Sequence, residues 1–290
     1  MTTEPSALTV NAVLTHAVSR LRPLTSAILD AQVLLGHALG RSRSELMIRG
    51  EEVIPAAKLA NFEQSVNRRA AGEPLAYIVG RREFWSLDLQ VSPVVLIPRP
   101  ETELVVERCL ALHGGESAAV ADLGTGAGAV ALALAWERRS WRVTATDRSE
   151  AALALATANA KALAIGNVQF VLGDWFQPLR GQGFDLIASN PPYVGATDPA
   201  LNDPALRHEP FGALASGPTG LEDLSTLIAG AGAHLRESGW LVLEHAPGQT
   251  RELAELLVAQ GFRHVRCHAD LAGLERVTEA QWPRDTSLTT

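Results

Sequence analysis

The stretch AVADLGTGAGAVALALAWERR, residues 119–139, decides the fold. It begins with a short apolar run typical of a buried strand, passes three glycines, and ends in a longer apolar run typical of a helix. Glycines let a strand turn sharply into a helix, and they let the backbone approach a ligand without an intervening side chain. The stretch therefore predicts one strand–loop–helix unit of an α/β sheet.

The same alternation of helices and strands runs on both sides of this unit, from about Glu101 to the closing strands RHVRCHAD and LERVTEA. One of the expected helices covers residues 221–235. Such alternation predicts an α/β protein with a doubly wound, mostly parallel sheet, and we expect the closing pair of strands to be antiparallel at one edge. Ligands of such sheets bind beyond the carboxyl ends of the strands, so residues at those ends are the candidates for a site.

The first 70 or so residues show only helical patterns. The clearest is TSAILDAQVLLGHALG, in which Thr25 or Ser26 is placed to cap the start of a helix and Gly40 to end it. The segment REFWSLDLQVSP then predicts two short strands that turn near Leu87 and Asp88.

These patterns divide the chain into three parts. We expect a small all-helical domain over residues 1–78, a β-hairpin linker over 79–100, and an α/β domain over 101–290.

Composition narrows the possible functions. The chain has 25 Lys and Arg against 32 Asp and Glu, a formal net charge of -7, which argues against extensive contact with nucleic acid backbones. Cys109 and Cys267 are the only cysteines, too few for a disulfide framework, and the eight histidines show no metal-ligand spacing. The start MTTEPSALTV lacks the features of a signal peptide, and no apolar run approaches the roughly 20 residues of a membrane span. We expect a cytoplasmic protein without a metal, a nucleic acid partner or a membrane partner.

The glycine loop DLGTGAG predicts a nucleotide-type ligand but does not by itself choose one, because GAGAVA also resembles a dinucleotide fingerprint. Asp147 ends the next strand, where a carboxylate is able to bind both hydroxyls of a ribose; its alternative role is to cap the helix that starts near Glu150. Asp122, beside the loop, would repel a pyrophosphate and suits a cationic ligand. S-adenosylmethionine has such a tail, with an ammonium and a sulfonium.

The following strand ends in GDWF, which adds two candidates for binding the adenine of that cofactor. Asp174 is able to accept from an adenine amino group, and Trp175 is able to cover its ring. The alternative is that both belong simply to loop and core.

The fourth strand end carries the stretch SNPPY, Ser189 to Tyr193, and we call its last four residues the acceptor clamp. Two successive prolines make a stiff, acceptor-rich turn, which in isolation is only a strand terminator. Here the Asn190 side-chain carbonyl and the Pro191 backbone carbonyl could accept both protons of a planar NH₂ group, while Tyr193 packs on its face. Methyl transfer needs such an acceptor nitrogen held in line with the methyl group.

The motifs together resemble those of the release factor glutamine methyltransferases, an S-adenosylmethionine-dependent family. The resemblance covers nearly the whole chain and rests on these segments: GEPLAYIVGRREFWSLDLQVSPVVLIPRPETE, DLGTGAG, TDRSEAAL, GDWF, SNPPY and HEPFGAL. It implies the class I S-adenosylmethionine-dependent methyltransferase fold. The implied reaction is methylation of the side-chain amide nitrogen of the glutamine in the Gly-Gly-Gln motif of class I peptide chain release factors.

The resemblance also implies roles for single residues. Asp147 would hold the ribose of S-adenosylmethionine, and Trp175 would lie by its adenine. The helical domain would dock the release factor. The residues implied to line the cofactor are Gly124, Thr125, Gly126, Ala127 and Gly128, to which the residue patterns add Asp122, Asp174 and Asn190; the residues implied to act in catalysis are Asn190, Pro191, Pro192 and Tyr193.

Two further segments stay open at this point. Arg99, between two prolines, is placed either to shape the acceptor pocket or simply to support the following helix. Residues 207–209, Arg-His-Glu, follow the clamp and are candidates for a lid, in which His208 is expected at the surface rather than as a base.

Other functions are compatible with parts of the pattern. A sister family with the same clamp modifies a ribosomal-protein glutamine, and adenine-specific nucleic acid methyltransferases present a related tetrapeptide to a flipped base. The latter would require a basic channel that the net charge of -7 does not favour. A non-enzymatic adenosyl-ligand sensor would not need the clamp, and a nicotinamide-dependent oxidoreductase is disfavoured by Asp122.

Overall fold

The computed structural model describes residues 8–115 and 117–283. Residues 1–7, on which part of the expectation about a signal peptide rests, lie outside them. The chain forms two compact units, the first ending at Gly80 and the second beginning at Arg81. The division into three parts at residues 78 and 100 stays a prediction.

The described part of the first unit is helical, as predicted. Its elements are α1 (Val10–Leu21), α2 (Ala27–Leu39), α3 (Arg43–Ile48), α4 (Ala56–Ala70) and α5 (Leu75–Val79). Apolar faces of these helices meet in a core around Leu34, Phe62 and Val66, all of which are fully buried. Gly40 ends α2, as expected, and has the left-handed conformation, with a φ of 67°. Ser26 precedes α2, but its hydroxyl makes no capping hydrogen bond.

The second unit opens with the predicted hairpin, formed by β1 (Arg81–Phe84) and β2 (Leu87–Gln90). The expected position of the turn was wrong: Phe84 pairs with Leu87, and the turn lies at Trp85 and Ser86. Both turn residues have positive φ, 52° and 59°, as the tight turn between paired strands requires. The earlier turn leaves Leu87 and Leu89 free to be buried on one face of the hairpin.

The rest of the second unit alternates as the sequence predicts. Its elements are α6 (Glu103–Leu112), β3 (Ala119–Leu123), α7 (Ala129–Glu137), β4 (Arg142–Asp147), α8 (Glu150–Ala162), β5 (Val168–Leu172), β6 (Phe184–Ser189), α9 (Glu222–Ala231), β7 (Leu235–Glu244), α10 (Thr250–Ala259), β8 (Arg263–Ala269) and β9 (Glu275–Gln281). The helix expected over 221–235 ends earlier, at Ala231, and Leu235 already begins β7. Gly230 and Gly232 lie at this end, and glycine weakens a helix there.

The described strands β3 to β9 form one sheet in the order β5-β4-β3-β6-β7-β9-β8. Pairs from β5 to β7 are parallel, and β9 is antiparallel to both of its neighbours, which confirms the doubly wound sheet with an antiparallel edge. The direction of winding reverses between β3 and β6, and a crevice opens at such a point beyond the carboxyl ends of the strands. Within residues 8–115 and 117–283, no helix is long and apolar enough to span a membrane.

Candidate active site

A cavity lies in this crevice, in the second unit. Sequence-predicted residues supply much of its wall: Asp122, Gly124, Thr125, Gly126, Ala127, Asp147, Asp174, Trp175, Asn190 and Pro192. The other predicted residues, Gly128, Pro191 and Tyr193, do not line this cavity. Further lining comes from the segment around Val94 to Pro98 and from Pro210, Gly212 and Ala213. The structure therefore brings together the ends of β3, β4, β5 and β6.

The glycine loop is shaped by positions that only glycine fills easily. Gly124 has a φ of 74°, and a Cβ there would lie 3.0 Å from the ring of Trp175. Gly128 has a φ of 86°, and a Cβ there would press on Leu132 and Ala156. The first glycine keeps the cavity open beside the tryptophan, and the last one allows α7 to pack closely on α8.

Asp147 ties the end of β4 to the glycine loop. Its Oδ2 accepts a hydrogen bond from the Gly126 amide, and its Oδ1 accepts one from the Ser149 amide, both at 2.9 Å. The cap of α8 is Ser149, whose hydroxyl accepts from the Ala152 amide. The carboxylate of Asp147 is thus held at the cavity wall, and each of its oxygens has a further lone pair for a ligand hydroxyl.

Asp122 is a buried carboxyl, 2% exposed, at the bottom of the same cavity. Its Oδ2 accepts from the Thr125 hydroxyl at 2.6 Å and from the Ala131 amide at 3.1 Å. Burial raises the pKa of Asp122 to about 6, although these two hydrogen bonds oppose the rise. A cationic ligand beside Asp122 would favour its ionised form.

Trp175 adopts a strained backbone conformation, with a φ of 44°. Its carbonyl accepts from the Thr146 hydroxyl, and its ring faces Gly124 across the loop. Strain of this kind persists where the surroundings enforce it, and it is common at ligand sites. Asp174 beside it is exposed and lines the cavity.

In the acceptor clamp, the amide of Asn190 has a defined orientation. Its Nδ2 donates to the Thr102 hydroxyl oxygen at 3.0 Å, so its carbonyl oxygen points away from that contact. Among residues 8–115 and 117–283, no donor is hydrogen-bonded to Asn190 Oδ1 or to the Pro191 carbonyl. The two acceptors that the sequence predicts are therefore available, and Ser189 fixes the strand before them by donating to the Leu123 carbonyl.

Tyr193 is held at two points. Its carbonyl accepts from the Gln249 side chain at 3.0 Å, and its hydroxyl donates to Glu244 Oε1 at 3.1 Å. Burial and the neighbouring Glu244 both raise the pKa of Tyr193, which keeps the phenol neutral. The hydroxyl is thus committed to the protein, and only the ring remains to contact an acceptor.

Sequence reasoning missed or left open several residues around the site. Glu209 is buried; it pairs with Arg99 and accepts from the Ile97 amide at 3.1 Å. Arg148 donates to the Gly212 carbonyl at 2.9 Å. These contacts join the segments before and after the clamp. In the sequence these residues stood out only as members of the motifs LIPRPETE and HEPFGAL, and neither motif indicated that Arg99 pairs with Glu209. His208 is exposed, as expected.

The residues of the cavity wall suit S-adenosylmethionine by their chemistry. The buried Asp122 suits a cation, and Asp147 adds a second carboxylate at the end of β4. Gly124 leaves space beside the ring of Trp175, because a side chain at position 124 would contact that ring. Within the described part of the chain, no group of three or more His, Cys, Asp and Glu residues is placed to hold a metal ion. The buried Asp122 and the carboxylate of Asp147 suit a charged nucleoside.

Solved structures support the fold at this level. The methyltransferase from Pyrococcus furiosus superposes with a TM-score of 0.52 at 22% identity, covering 68% of this chain and 89% of its own. The catalytic domain of hMettl16 in complex with the MAT2A 3′UTR hairpin 6 gives a TM-score of 0.58 at 16% identity, covering 81% and 86%. Fold and site define a class I S-adenosylmethionine-dependent methyltransferase.

Sequence relatives define the family more narrowly. Residues 12–80 match the model of the PrmC N-terminal domain, and residues 101–202 match that of the methyltransferase small domain. The release factor glutamine methyltransferase of Pseudomonas aeruginosa is 47% identical over 264 residues, 91% of this chain and 96% of its own length. That of Yersinia pestis is 46% identical, covering 93% and 97%. The chain belongs to the family of release factor glutamine methyltransferases.

Proposed function

We propose that this enzyme methylates the side-chain amide nitrogen of the glutamine in the Gly-Gly-Gln motif of class I peptide chain release factors, in the cytoplasm. The observation that carries the proposal is the Asn190 amide, which donates backward to Thr102 and leaves its carbonyl oxygen without a donor among the described residues. A primary amide has two N–H groups, and the clamp has two rigid acceptors at one strand end. Membership of the family supports the same substrate.

The roles of the chain's own residues follow from this pairing. Asp122, Asp147 and Trp175 would hold the cofactor, which supplies an electrophilic methyl group when bound. Asn190 Oδ1 and the Pro191 carbonyl would each accept one amide proton of the glutamine. An amide nitrogen is a poor nucleophile because its lone pair is delocalised into the carbonyl group.

Holding both N–H groups would orient that nitrogen and stabilise the positive charge that develops on it during transfer. Transfer would form the N–C bond, leave the electron pair of the broken S–C bond on the sulfur of the cofactor, and release one proton of the alkylated nitrogen to water. No side chain would act as a general base in this transfer.

The experiment is methyl transfer from labelled S-adenosylmethionine to a purified class I release factor. The control acceptor is the same release factor with the glutamine of its Gly-Gly-Gln motif replaced by alanine. Label on the unaltered factor alone supports reaction, substrate and acceptor atom together. Equal label on both factors contradicts the choice of glutamine; label on neither, with cofactor binding intact, turns attention to ribosomal proteins and then to nucleic acid.

A further inference from the structure

Glu244, at the carboxyl end of β7, is a buried carboxyl that the mechanism above does not use. It is 1% exposed, and its Oε1 accepts the hydroxyl of Tyr193. Its Oε2 is buried without a hydrogen-bond partner among the described residues. A buried carboxyl with an unused oxygen is costly to keep, and such groups are typical of functional sites.

Thr102 connects the same carboxyl to the other end of the clamp. The threonine is 3% exposed, and its hydroxyl lies beside Glu244, where it favours the ionised form of the carboxyl. The same hydroxyl oxygen accepts from Asn190 Nδ2. Glu244 therefore adjoins both hydroxyl groups that hold the clamp, that of Thr102 and that of Tyr193.

The directions in which the hydroxyl groups of Thr102 and Tyr193 donate depend on whether the group at position 244 is a hydrogen-bond acceptor only or also a donor. A carboxylate only accepts, so the Tyr193 hydroxyl donates to it. No hydrogen bond joins Thr102 to Glu244 among the described residues, but the negative charge attracts the hydroxyl proton of Thr102 and leaves its oxygen lone pairs to the opposite side. For Thr102, that leaves the oxygen free to accept from the Asn190 amide. A group at position 244 that donates would compete for those lone pairs and favour a rotated Asn190 amide, with its carbonyl turned away from the acceptor.

We propose that Glu244 is a positioning residue of the acceptor clamp and sets the orientation of both Asn190 and Tyr193. The inference rests on the proposed function, because the clamp is the site where the glutamine amide would bind. Glu244 acts through the two hydroxyl groups and contacts no reacting atom.

The charges around Glu244 determine how it titrates. Burial raises the pKa of Glu244 to about 7, the hydroxyls of Thr102 and Tyr193 and the charge of Arg276 oppose the rise, and Glu101 adds to it. Arg99 acts on Tyr193 from the segment before α6. The neighbouring His245 is also buried, and burial lowers its pKa from the usual 6.5. The clamp is therefore expected to gain its working orientation as pH rises through about 7.

A spectroscopic test needs no acceptor, because the chain has only two tyrosines, Tyr77 and Tyr193. With tyrosine labelled by ¹³C at Cζ, the Tyr193 resonance should shift between pH 5 and 9 with a midpoint near 7. Glu244→Gln should abolish that shift, while Tyr77 serves as the internal reference and Tyr193→Phe gives the assignment. A Tyr193 resonance that does not titrate in the unaltered protein, or titrates equally in Glu244→Gln, overturns the inference.

The kinetic test uses the same variant with a saturating cofactor concentration. We expect Glu244→Gln to lower kcat/KM for the release factor about 10- to 100-fold, as a misplaced acceptor would, and to leave cofactor affinity within about twofold. The rise of kcat/KM with pH through about 7 should also disappear. Glu237→Gln is the matched control, since Glu237 is an exposed glutamate on the same strand.

The outcomes separate the two proposals. If the unaltered enzyme transfers methyl groups to the release factor and Glu244→Gln matches it at every pH, the positioning role is wrong and the proposed function stands. If the unaltered enzyme labels no release factor, the proposed function fails. In that case the Tyr193 resonance still decides whether Glu244 orients the clamp.

Discussion

Asp147 Oδ2 accepts the Gly126 amide at 2.9 Å, which joins the end of β4 to the middle of the glycine loop. The same carboxylate accepts the Ser149 amide through its other oxygen. One side chain thus shapes the loop and offers further lone pairs to a ligand. A substitution of Asp147 therefore changes both the shape of the loop and the groups available to a ligand.

Replacing Asp147 should weaken cofactor binding more than it lowers the rate of turnover at saturating cofactor. We expect Asp147→Ala to raise the Kd of S-adenosylmethionine about 10- to 100-fold, because hydrogen bonds to a charged group contribute about 1.5–3 kcal/mol each. Asp147→Asn keeps one acceptor oxygen and should lose less. Isothermal titration calorimetry measures both, with Glu255→Ala, an exposed carboxylate on α10, as the control. An unchanged Kd in Asp147→Ala would contradict the ribose role.

Asn190→Ala should have the opposite profile. It removes one of the two acceptors for the amide protons, so kcat should fall about 10²- to 10³-fold, the usual loss for one preorganised hydrogen-bonding group. Cofactor affinity should stay nearly intact. Single-turnover transfer and cofactor titration measure the two quantities, and a collapse of cofactor binding would show that Asn190 has been assigned to the wrong ligand.

Cofactor affinity should depend on pH through Asp122. The pKa of Asp122 in the free enzyme is about 6, so below pH 6 a cationic ligand must displace a proton to obtain a charged partner. The Kd should therefore fall as pH rises through about 6 and then level off. Asp122→Asn should bind more weakly, with a Kd that does not change across this range; a pH-dependent Kd in that variant would assign the effect to another group.

The stability of the folded protein should respond to Glu244. Its pKa is near 4.5 in an unfolded chain and about 7 when folded, so the folded state holds its proton more tightly. This contribution to the free energy of unfolding is fully present below pH 4.5 and is lost as pH rises through 7, by at most about 3 kcal/mol. The free energy of unfolding, measured by urea denaturation, should thus fall in the unaltered protein relative to Glu244→Gln as pH rises from 5 to 8. A difference that stays constant over this range would contradict the raised pKa.

Glu209 should control the segment that borders the cavity. Glu209→Ala leaves Arg99 without its partner and removes the acceptor of the Ile97 amide, so amide hydrogen exchange should become faster at both segments. We expect weaker cofactor binding as well, because Pro210 and Gly212 line the cavity. Arg207→Ala changes an exposed neighbour and should do neither. Equal exchange in the two variants would show that Glu209 does not hold the segment.

The sequence predicted those parts of the site that follow directly on a strand. Asp122, Asp147 and Asn190 each end an apolar run, and the alternation of helices and strands places those ends at one edge of the sheet. The turn at Trp85 and Ser86 was missed because neither residue favours positive φ, and the pairing of β1 with β2 imposes it.

Thr102 and Glu244 could not be predicted in the same way. Their importance comes from tertiary packing: the strand order sets β7, which ends at Glu244, beside β6, and Thr102 lies just before α6. Thr102 is 88 positions before Asn190, and Glu244 is 51 positions after Tyr193. A single glutamate at the end of an apolar strand carries no local signal of a partner. Only the three-dimensional packing identifies it.

The place of β9 in the sheet has a consequence for how the molecule is made. Within the described residues β9 is the last strand to leave the ribosome, but it lies inside the sheet, between β7 and β8. Until it arrives, β7 has an open edge and β8 has no strand to pair with, a condition in which nascent chains are prone to wrong association. The half of the sheet from β5 to β6 carries the glycine loop and is able to form before that. A growing chain is therefore able to complete the strands that carry the glycine loop before β9 pairs with β7 beside Glu244.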